Sequence, residues 1–226
     1  MSRRYHHPAL PAVGERTVLA KATSHHLLQV CRHPRGEPVT LFDGVGAEAQ
    51  CVLVDVQGPR AVLECQALSP PCTPARQVTL LLALCKPAAW ETSLRMATEL
   101  GVDRVQPVIC TRCSVRKLRL ERWHKVLVAA CEQSGRRWLP QLLEPLSLNR
   151  ALQEPSLPSR RLLLAPDAPP LAATPGDLAL LVGPEGGLSD DERALADQAG
   201  FEATGLAHHV LRVDTAVAAA LARYGG

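Results

Sequence analysis

A strand, a glycine turn and a helix start follow one another without a gap between Leu178 and Glu192, the order of a strand-to-helix unit in an α/β protein. The run Leu178 to Val182 is wholly apolar, which suits a strand covered on both faces. Gly183-Pro184-Glu185-Gly186-Gly187 then supplies residues that tolerate φ > 0 and let another group approach the main chain, with Pro184 stiffening the bend. Ser189 and Glu192 stand at capping-box spacing, so a helix is expected from Asp190 to Gln198. Strand–turn–helix junctions of this kind bind ligands in α/β proteins, although a bare link between two elements would read the same way. The turn lacks the Gly-Lys-Ser/Thr ending of a phosphate loop, and Glu185 would repel a triphosphate.

A second loop-to-helix junction follows at Val210-Leu211-Arg212-Val213-Asp214-Thr215-Ala216, and the two turns together suggest one pocket. Upstream, further apolar runs at Val78 to Leu84, Val105 to Ile109 and Arg161 to Leu164 are candidate buried strands. Trp90, Leu94, Ala97 and Leu100 recur at helical spacing before Gly101, and further helices are predicted at Leu120 to Gln133 and Thr215 to Arg223. Alternating strands and helices predict an α/β fold with a mostly parallel sheet and flanking helices.

The amino-terminal part reads differently. Short β-like runs at Val39 to Phe42, Cys51 to Val56 and Ala61 to Cys65 are separated by Asp43-Gly44 and Gln57-Gly58-Pro59, as in a small β domain. Leu68-Ser69-Pro70-Pro71-Cys72-Thr73-Pro74 holds too many prolines for a helix or a central strand. The expected division is therefore a β domain over 1–67, a proline-rich linker over 68–75 and an α/β domain over 76–226.

Charge is unevenly placed. The whole chain carries +3, yet Arg112, Arg116, Lys117, Arg119, Arg122, Lys125, Arg136 and Arg137 face only Glu121 and Glu132 within residues 112–137. Such a density attracts a polyanion through counterion release, and nucleic acid is the natural partner; a solvated helix face is the alternative. With three Trp, two Tyr and two Phe in the chain, stacking platforms for bases are not expected, so a nucleic acid would be held by phosphate and shape.

At 226 residues and 46% hydrophobic the chain can bury a sizeable core. No apolar stretch reaches the length of a membrane span, and the first residues lack the apolar segment of a signal peptide, which predicts a soluble, cytoplasmic protein. Eight scattered cysteines read as reduced core residues. Cys110-Thr111-Arg112-Cys113 is the sole CxxC and has no second pair at zinc-site spacing, so no metal is expected.

Several spaced segments resemble one family. LLVGPEGGLSDDE, Gly200-Phe201 and GLAHHVLRVDTA are similar to the trefoil-knotted (SPOUT) methyltransferases that act on uridine N3 in small-subunit (16S) ribosomal RNA. Arg3-Arg4-Tyr5, His25-His26-Leu27 with Val30 and Arg32, Ala97 to Val102, Cys131 to Arg136 and Pro140 match in the same order, so the likeness covers nearly the whole chain. Departures occur at Met96, Ala207, His209 and Asp214, where the family commonly has Lys, Gly, Arg and Glu.

The resemblance implies a trefoil knot, a PUA-like β-barrel RNA-binding domain over 1–67, a homodimer and S-adenosylmethionine as methyl donor. Donor contacts would fall to Leu164, Gly183, Pro184, Glu185, Gly186, Leu206, Val210, Leu211 and Thr215. Arg212 is the candidate catalytic residue, placed to stabilise a developing uracil anion, with a salt bridge to Asp214 as its structural alternative. Arg3, Arg4, Arg32, Arg112, Arg116 and Arg136 are the candidate RNA contacts. Two other functions fit the same features: a knotted ribose 2′-O-methyltransferase, and a non-catalytic RNA-binding ribosome assembly factor.

Overall fold

The computed structural model describes residues 3–72, 74–113, 118–173, 175–207 and 209–225. The chain divides into two compact units, Met1–Thr73 with Cys131–Leu139, and Pro74–Ala130 with Pro140–Gly226.

The first unit is built on a mixed five-stranded sheet. Its strands are β1 (Arg3–His6), β2 (Arg16–Val18), β3 (Pro38–Phe42), β4 (Glu48–Gln57) and β5 (Arg60–Ser69), in the order β1-β3-β4-β5-β2. β1 lies parallel to β3, and the other pairs are antiparallel. β5 runs to Ser69, where Ser69 and Leu68 still pair with Glu48 and Ala49, so two residues expected in the linker are strand. Lys21–His25 forms a short helix, α1, which passes into a π-helical turn at His26–Val30. Leu27 from that turn packs with Tyr5, Leu19, Val39, Leu41, Leu53 and Leu63 in one core.

Residues 131–139 complete this unit. Trp138 covers Gly46, where an added Cβ would meet the indole at 2.5 Å, and Leu139 donates its amide to the Gly44 carbonyl at 2.9 Å. Glu48 is buried and takes Arg4 on one carboxylate oxygen and Arg137 on the other, the latter at 2.6 Å. Arg4 also lies over the Phe42 ring and reaches the Arg136 carbonyl. A buried carboxylate needs such partners, because taking it out of water unpaired is costly.

The second unit is a parallel sheet in the order β12-β10-β11-β6-β7-β8, with β9 also on β7. The strands are β6 (Val78–Ala83), β7 (Arg104–Ile109), β8 (Gln141–Leu142), β9 (Leu146–Ser147), β10 (Arg160–Leu164), β11 (Leu178–Val182) and β12 (Glu202–Thr204). β6 and β11 are buried at every residue, which is why their sequences are unbroken apolar runs rather than alternating ones. The helices are α2 (Pro87–Glu99), α3 (Leu120–Ser134), whose last residues from Cys131 belong to the first unit, α4 (Leu148–Leu152), α5 (Asp190–Gln198) and α6 (Val213–Tyr224). Gly101 ends α2 at φ +92, and α5 carries the full capping box of Ser189 and Glu192. All eight cysteines are free thiols. No helix among the described residues is long and apolar enough to cross a membrane.

Strand order positions the site. The chain lays β7 on one side of β6, then places β10 and β12 on the other and inserts β11 between β10 and β6. Because β6, β10, β11 and β12 are parallel, their carboxyl ends share one edge, where α/β sheets bind ligands.

Candidate functional site

A cavity of about 670 Å³ opens at that edge, within the range of small-molecule sites. Its walls come from the ends of four strands: Lys86 after β6, Leu164 to Pro166 after β10, Gly183 to Leu188 after β11, and Thr204 with Leu206 after β12. Segment 209–213, leading into α6, closes a further side.

The glycine turn is held from several directions. Gly187 adopts φ +69 and donates its amide to the Pro184 carbonyl at 2.8 Å, so this position calls for glycine. Glu185 Oε1 accepts the Lys86 amide at 3.1 Å. Lys86 is the N-cap of α2 and has no capping side chain of its own; Glu185 therefore satisfies a helix N-terminus from a distant turn and sits at its positive end. Glu192 Oε1 accepts the Thr111 amide at 2.7 Å while its Oε2 accepts the Ser189 amide at 2.9 Å. Burial raises the Glu192 pKa, but hydrogen bonds from Thr111 and Ser189 outweigh it and hold the carboxyl below its ordinary value.

Of the expected donor contacts, Leu164, Gly183, Pro184, Glu185, Gly186, Leu206, Val210 and Leu211 all line this cavity. Thr215 does not. Val213 and Ala216 present the lining face of α6, three residues apart, and Thr215 lies off that face because each helical residue turns by about 100°. Lys86, Arg193, Thr204 and His209 line the cavity without having been anticipated. Lys86 and Thr204 were legible in principle, since each adjoins the carboxyl end of a parallel strand; Arg193 enters from the first turn of α5 and leaves no such mark.

Arg212 is the N-cap of α6 and lines the cavity with its side chain 82% exposed. Its Nε lies 3.7 Å from Asp214 Oδ1, a long, solvent-screened contact that leaves the guanidinium able to reach a ligand. Val210 is 80% exposed, an apolar wall that a flat ring would cover.

The cavity suits an adenosyl sulfonium. Gly183 and Gly186 have ordinary van der Waals space where a Cβ would stand, 3.4 Å from Leu188 and Arg112 respectively, so the turn is compact without being occluded. Apolar surface at Leu206, Val210 and Leu211 faces main-chain groups of the turn, and Glu185 adds an acidic group that a sulfonium tolerates.

The expected RNA contacts are distributed unevenly. Arg3 and Arg32 are exposed, and Arg32 has φ +48 at the end of the π-helical turn. Arg136 lies in the segment that completes the first unit. Arg4 has a side chain only 16% exposed, engaged by Glu48, the Phe42 ring and the Arg136 carbonyl. Arg112 is likewise engaged, by the Gly186 carbonyl at 2.8 Å. Arg116 lies outside the described residues. Within the basic segment, Arg122 pairs with Glu91 of α2 through two hydrogen bonds, which lowers the Glu91 pKa.

Residues 72–225 match the RNA methyltransferase domain family. The chain is 34% identical over 235 residues to Ribosomal RNA small subunit methyltransferase E of Mycobacterium bovis, covering 96% of this chain and 88% of that one. It is also 34% identical to the protein of that name from Synechocystis, covering 91% of this chain and 71% of the relative. A crystal structure of Ribosomal RNA small subunit methyltransferase E from Neisseria gonorrhoeae bound to S-adenosyl methionine superposes with a TM-score of 0.89 at 33% identity, covering 98% of this chain and 96% of that one.

Proposed function

This chain belongs to the RNA methyltransferase domain family, and from that premise we propose that it transfers a methyl group from S-adenosylmethionine to small-subunit ribosomal RNA. The observation that carries the reading is the cavity itself, in which the Gly183–Gly187 turn meets Leu206, Ala207 and residues 209–212 at the shared edge of four parallel strands. The acceptor is N3 of a specific uridine, in keeping with the family whose motifs the chain repeats.

S-adenosylmethionine supplies a methyl already activated by a positive sulfur, so positioning does much of the remaining work. Leu206, Val210 and Leu211 hold the adenosine, and the glycine turn presents main-chain groups to it. Lys86 and Arg193 give the cavity cations suited to the donor's carboxylate. As the N3–H bond breaks, negative charge spreads over the uracil, and Arg212 at the open side of the cavity stabilises it. Methyl transfer to N3 leaves a neutral thioether, and the N3 proton leaves to solvent.

We assign to the first unit a PUA-like barrel that helps to hold RNA, with Arg3 and Arg32 as contacts; Arg136 and Arg116 complete the set. The second unit is read as a trefoil knot working as a homodimer, for which half-buried Ala218 and Ala219 of α6 offer a close-packing surface. The site of action is the cytoplasm, where ribosomal RNA is modified. Sedimentation of the full chain tests the dimer.

The decisive experiment is methyl transfer from labelled donor to free small-subunit RNA, to naked subunits and to assembled subunits, followed by mapping of the modified nucleotide. Label at a uridine N3 supports the reading. Label on a ribose hydroxyl would replace it with the 2′-O alternative, and donor binding without transfer to any of the three RNAs would point to an assembly factor.

A further inference from the structure

Arg112 lies in the most basic stretch of the chain, yet its guanidinium turns toward the glycine loop. Nη1 donates to the Gly186 carbonyl at 2.8 Å and approaches the Leu188 carbonyl at 3.5 Å. The aliphatic stem covers Gly186, with Cβ and Cδ at 3.4 and 3.5 Å from where a side chain there would begin. One residue earlier, the Thr111 amide is bound by Glu192, whose other oxygen closes the capping box of α5. The Cys110–Cys113 turn is itself closed by Cys113 N–H to Cys110 O at 3.1 Å and by Cys110 N–H to Cys113 Sγ at 3.2 Å. The turn after β7 is thus clamped onto the second half of the loop after β11 and onto the start of α5.

From this geometry we infer that Arg112 is a positioning residue for the methyl donor, acting through the Gly186 and Leu188 carbonyls rather than on RNA. Three glycines in five residues give this stretch more backbone freedom to lose on binding than an ordinary sequence of that length, even with Pro184 stiffening one position. A guanidinium that holds its carbonyls in the free protein removes that ordering from the cost of binding the donor. Thr111 supports the same loop through Glu192, so the clamp is a two-residue device, and Arg112 is the part whose side chain can be changed.

The inference rests on the donor reading of the cavity. It is tested with Arg112→Met, which keeps the covering stem and removes the donors, and Arg112→Lys, which restores one donor without the planar fork. The full chain is titrated with S-adenosylmethionine by calorimetry, its RNA affinity is measured across a salt series, and amide exchange is followed over residues 183–188. Arg112→Met is expected to weaken donor binding and raise the donor KM by about tenfold, with Arg112→Lys in between, while kcat at saturating donor stays within about twofold. Exchange over 183–188 is expected to quicken, and the slope of log RNA affinity against log salt to stay unchanged.

Unchanged donor affinity in Arg112→Met, or unchanged exchange over 183–188, overturns the inference. So does a loss of about one unit of salt slope, the mark of a lost phosphate contact. Failure of the underlying reading is separate: there the unsubstituted chain would itself fail to bind the donor, whereas here it binds and only the variant differs.

Discussion

Glu192 and Thr111 are joined across the second unit by a hydrogen bond of 2.7 Å from the Thr111 amide to a carboxylate that also caps its own helix. One acidic group therefore serves as helix cap and as tether between the ends of β7 and β11. Its hydrogen bonds hold its pKa down despite burial.

Replacing it gives a pH-dependent loss. A carboxyl depressed in the folded state binds fewer protons there than in the unfolded chain, so its stabilisation is present above the ordinary value of about 4.5 and disappears as pH falls through the folded value. Glu192→Gln should be less stable than the parent by about 1–3 kcal/mol at pH 7, the cost of leaving a buried amide poorly paired. Urea melts should show the gap narrowing between pH 5 and pH 3, to within about 1 kcal/mol. A gap that is constant with pH would mean that the carboxylate charge has no part in the tether.

Gly205 and Gly186 separate two kinds of glycine requirement. A Cβ on Gly205 would stand 2.1 Å from the Ala168 carbonyl oxygen, and the Gly205 amide donates to Pro169 O at 3.2 Å, so backbone would have to move. Gly205→Ala should cost about 1–3 kcal/mol or more and weaken donor binding, because Leu206 follows directly. Gly186→Ala meets only the flexible Arg112 stem, and its thermal midpoint should shift by less than half as much.

Arg212→Ala should lower turnover by about a hundredfold, the scale of losing one preorganised charge partner in a transition state. Donor affinity measured by calorimetry should stay within about twofold, since the side chain is largely exposed and the adenosine walls lie elsewhere. Unchanged turnover would leave the contact with Asp214 as the whole role of this residue.

In the first unit, Glu48→Ala would strand two arginines. Arg4 and Arg137 share that buried carboxylate, and removing it should cost about 3–5 kcal/mol. Arg137→Met, at the more exposed end, should cost clearly less. Equal losses in denaturant melts of the two variants would argue against Glu48 as the hub.

The thiols should divide by environment. Hydrogen bonds from the Cys110 thiol and amide hold the Cys113 thiol below its ordinary value. Burial pushes Cys51 and Cys85 up to about 12. Brief iodoacetamide treatment at pH 7.5, read by peptide mass mapping, should therefore modify Cys113 well before Cys51 or Cys85. Equal labelling in the folded protein would contradict that ordering.

Much of this fold could be read from the chain. Leu178–Val182 and Asp190–Gln198 have the bounds expected of them, because an unbroken apolar run and a Ser-x-x-Glu box each carry a local physical signal. β8, β9 and α4 were invisible, being two to five residues long and too short for any periodicity to register. β1 and β2 read as polar, RRYH and RTV, since both are edge strands and Arg4 of β1 is neutralised by Glu48 of β4. Eight of the nine residues expected to hold a donor line the cavity, seven of them on the two loop stretches 183–186 and 206–211 and Leu164 at the end of β10, whereas Thr215 faces away from it. Arg112 shows what charge density leaves open: it says where cations are, whereas the coordinates show this one donating to the Gly186 carbonyl.

The placement of Cys131–Leu139 has a consequence for how the molecule is made. The first unit lacks Trp138, Arg137 and Glu132, whose carboxylate accepts the His6 amide, until residue 139 has emerged during synthesis, by which time β6, β7 and the first part of α3 have already been translated. Amino-terminal fragments ending at the proline-rich stretch are thus unfinished objects, with an uncovered glycine at position 46 and a Glu48 still short of one arginine. The first unit is therefore closed by a nine-residue strap that follows β6 and β7 in sequence, so its folding waits on chain that comes after part of the second.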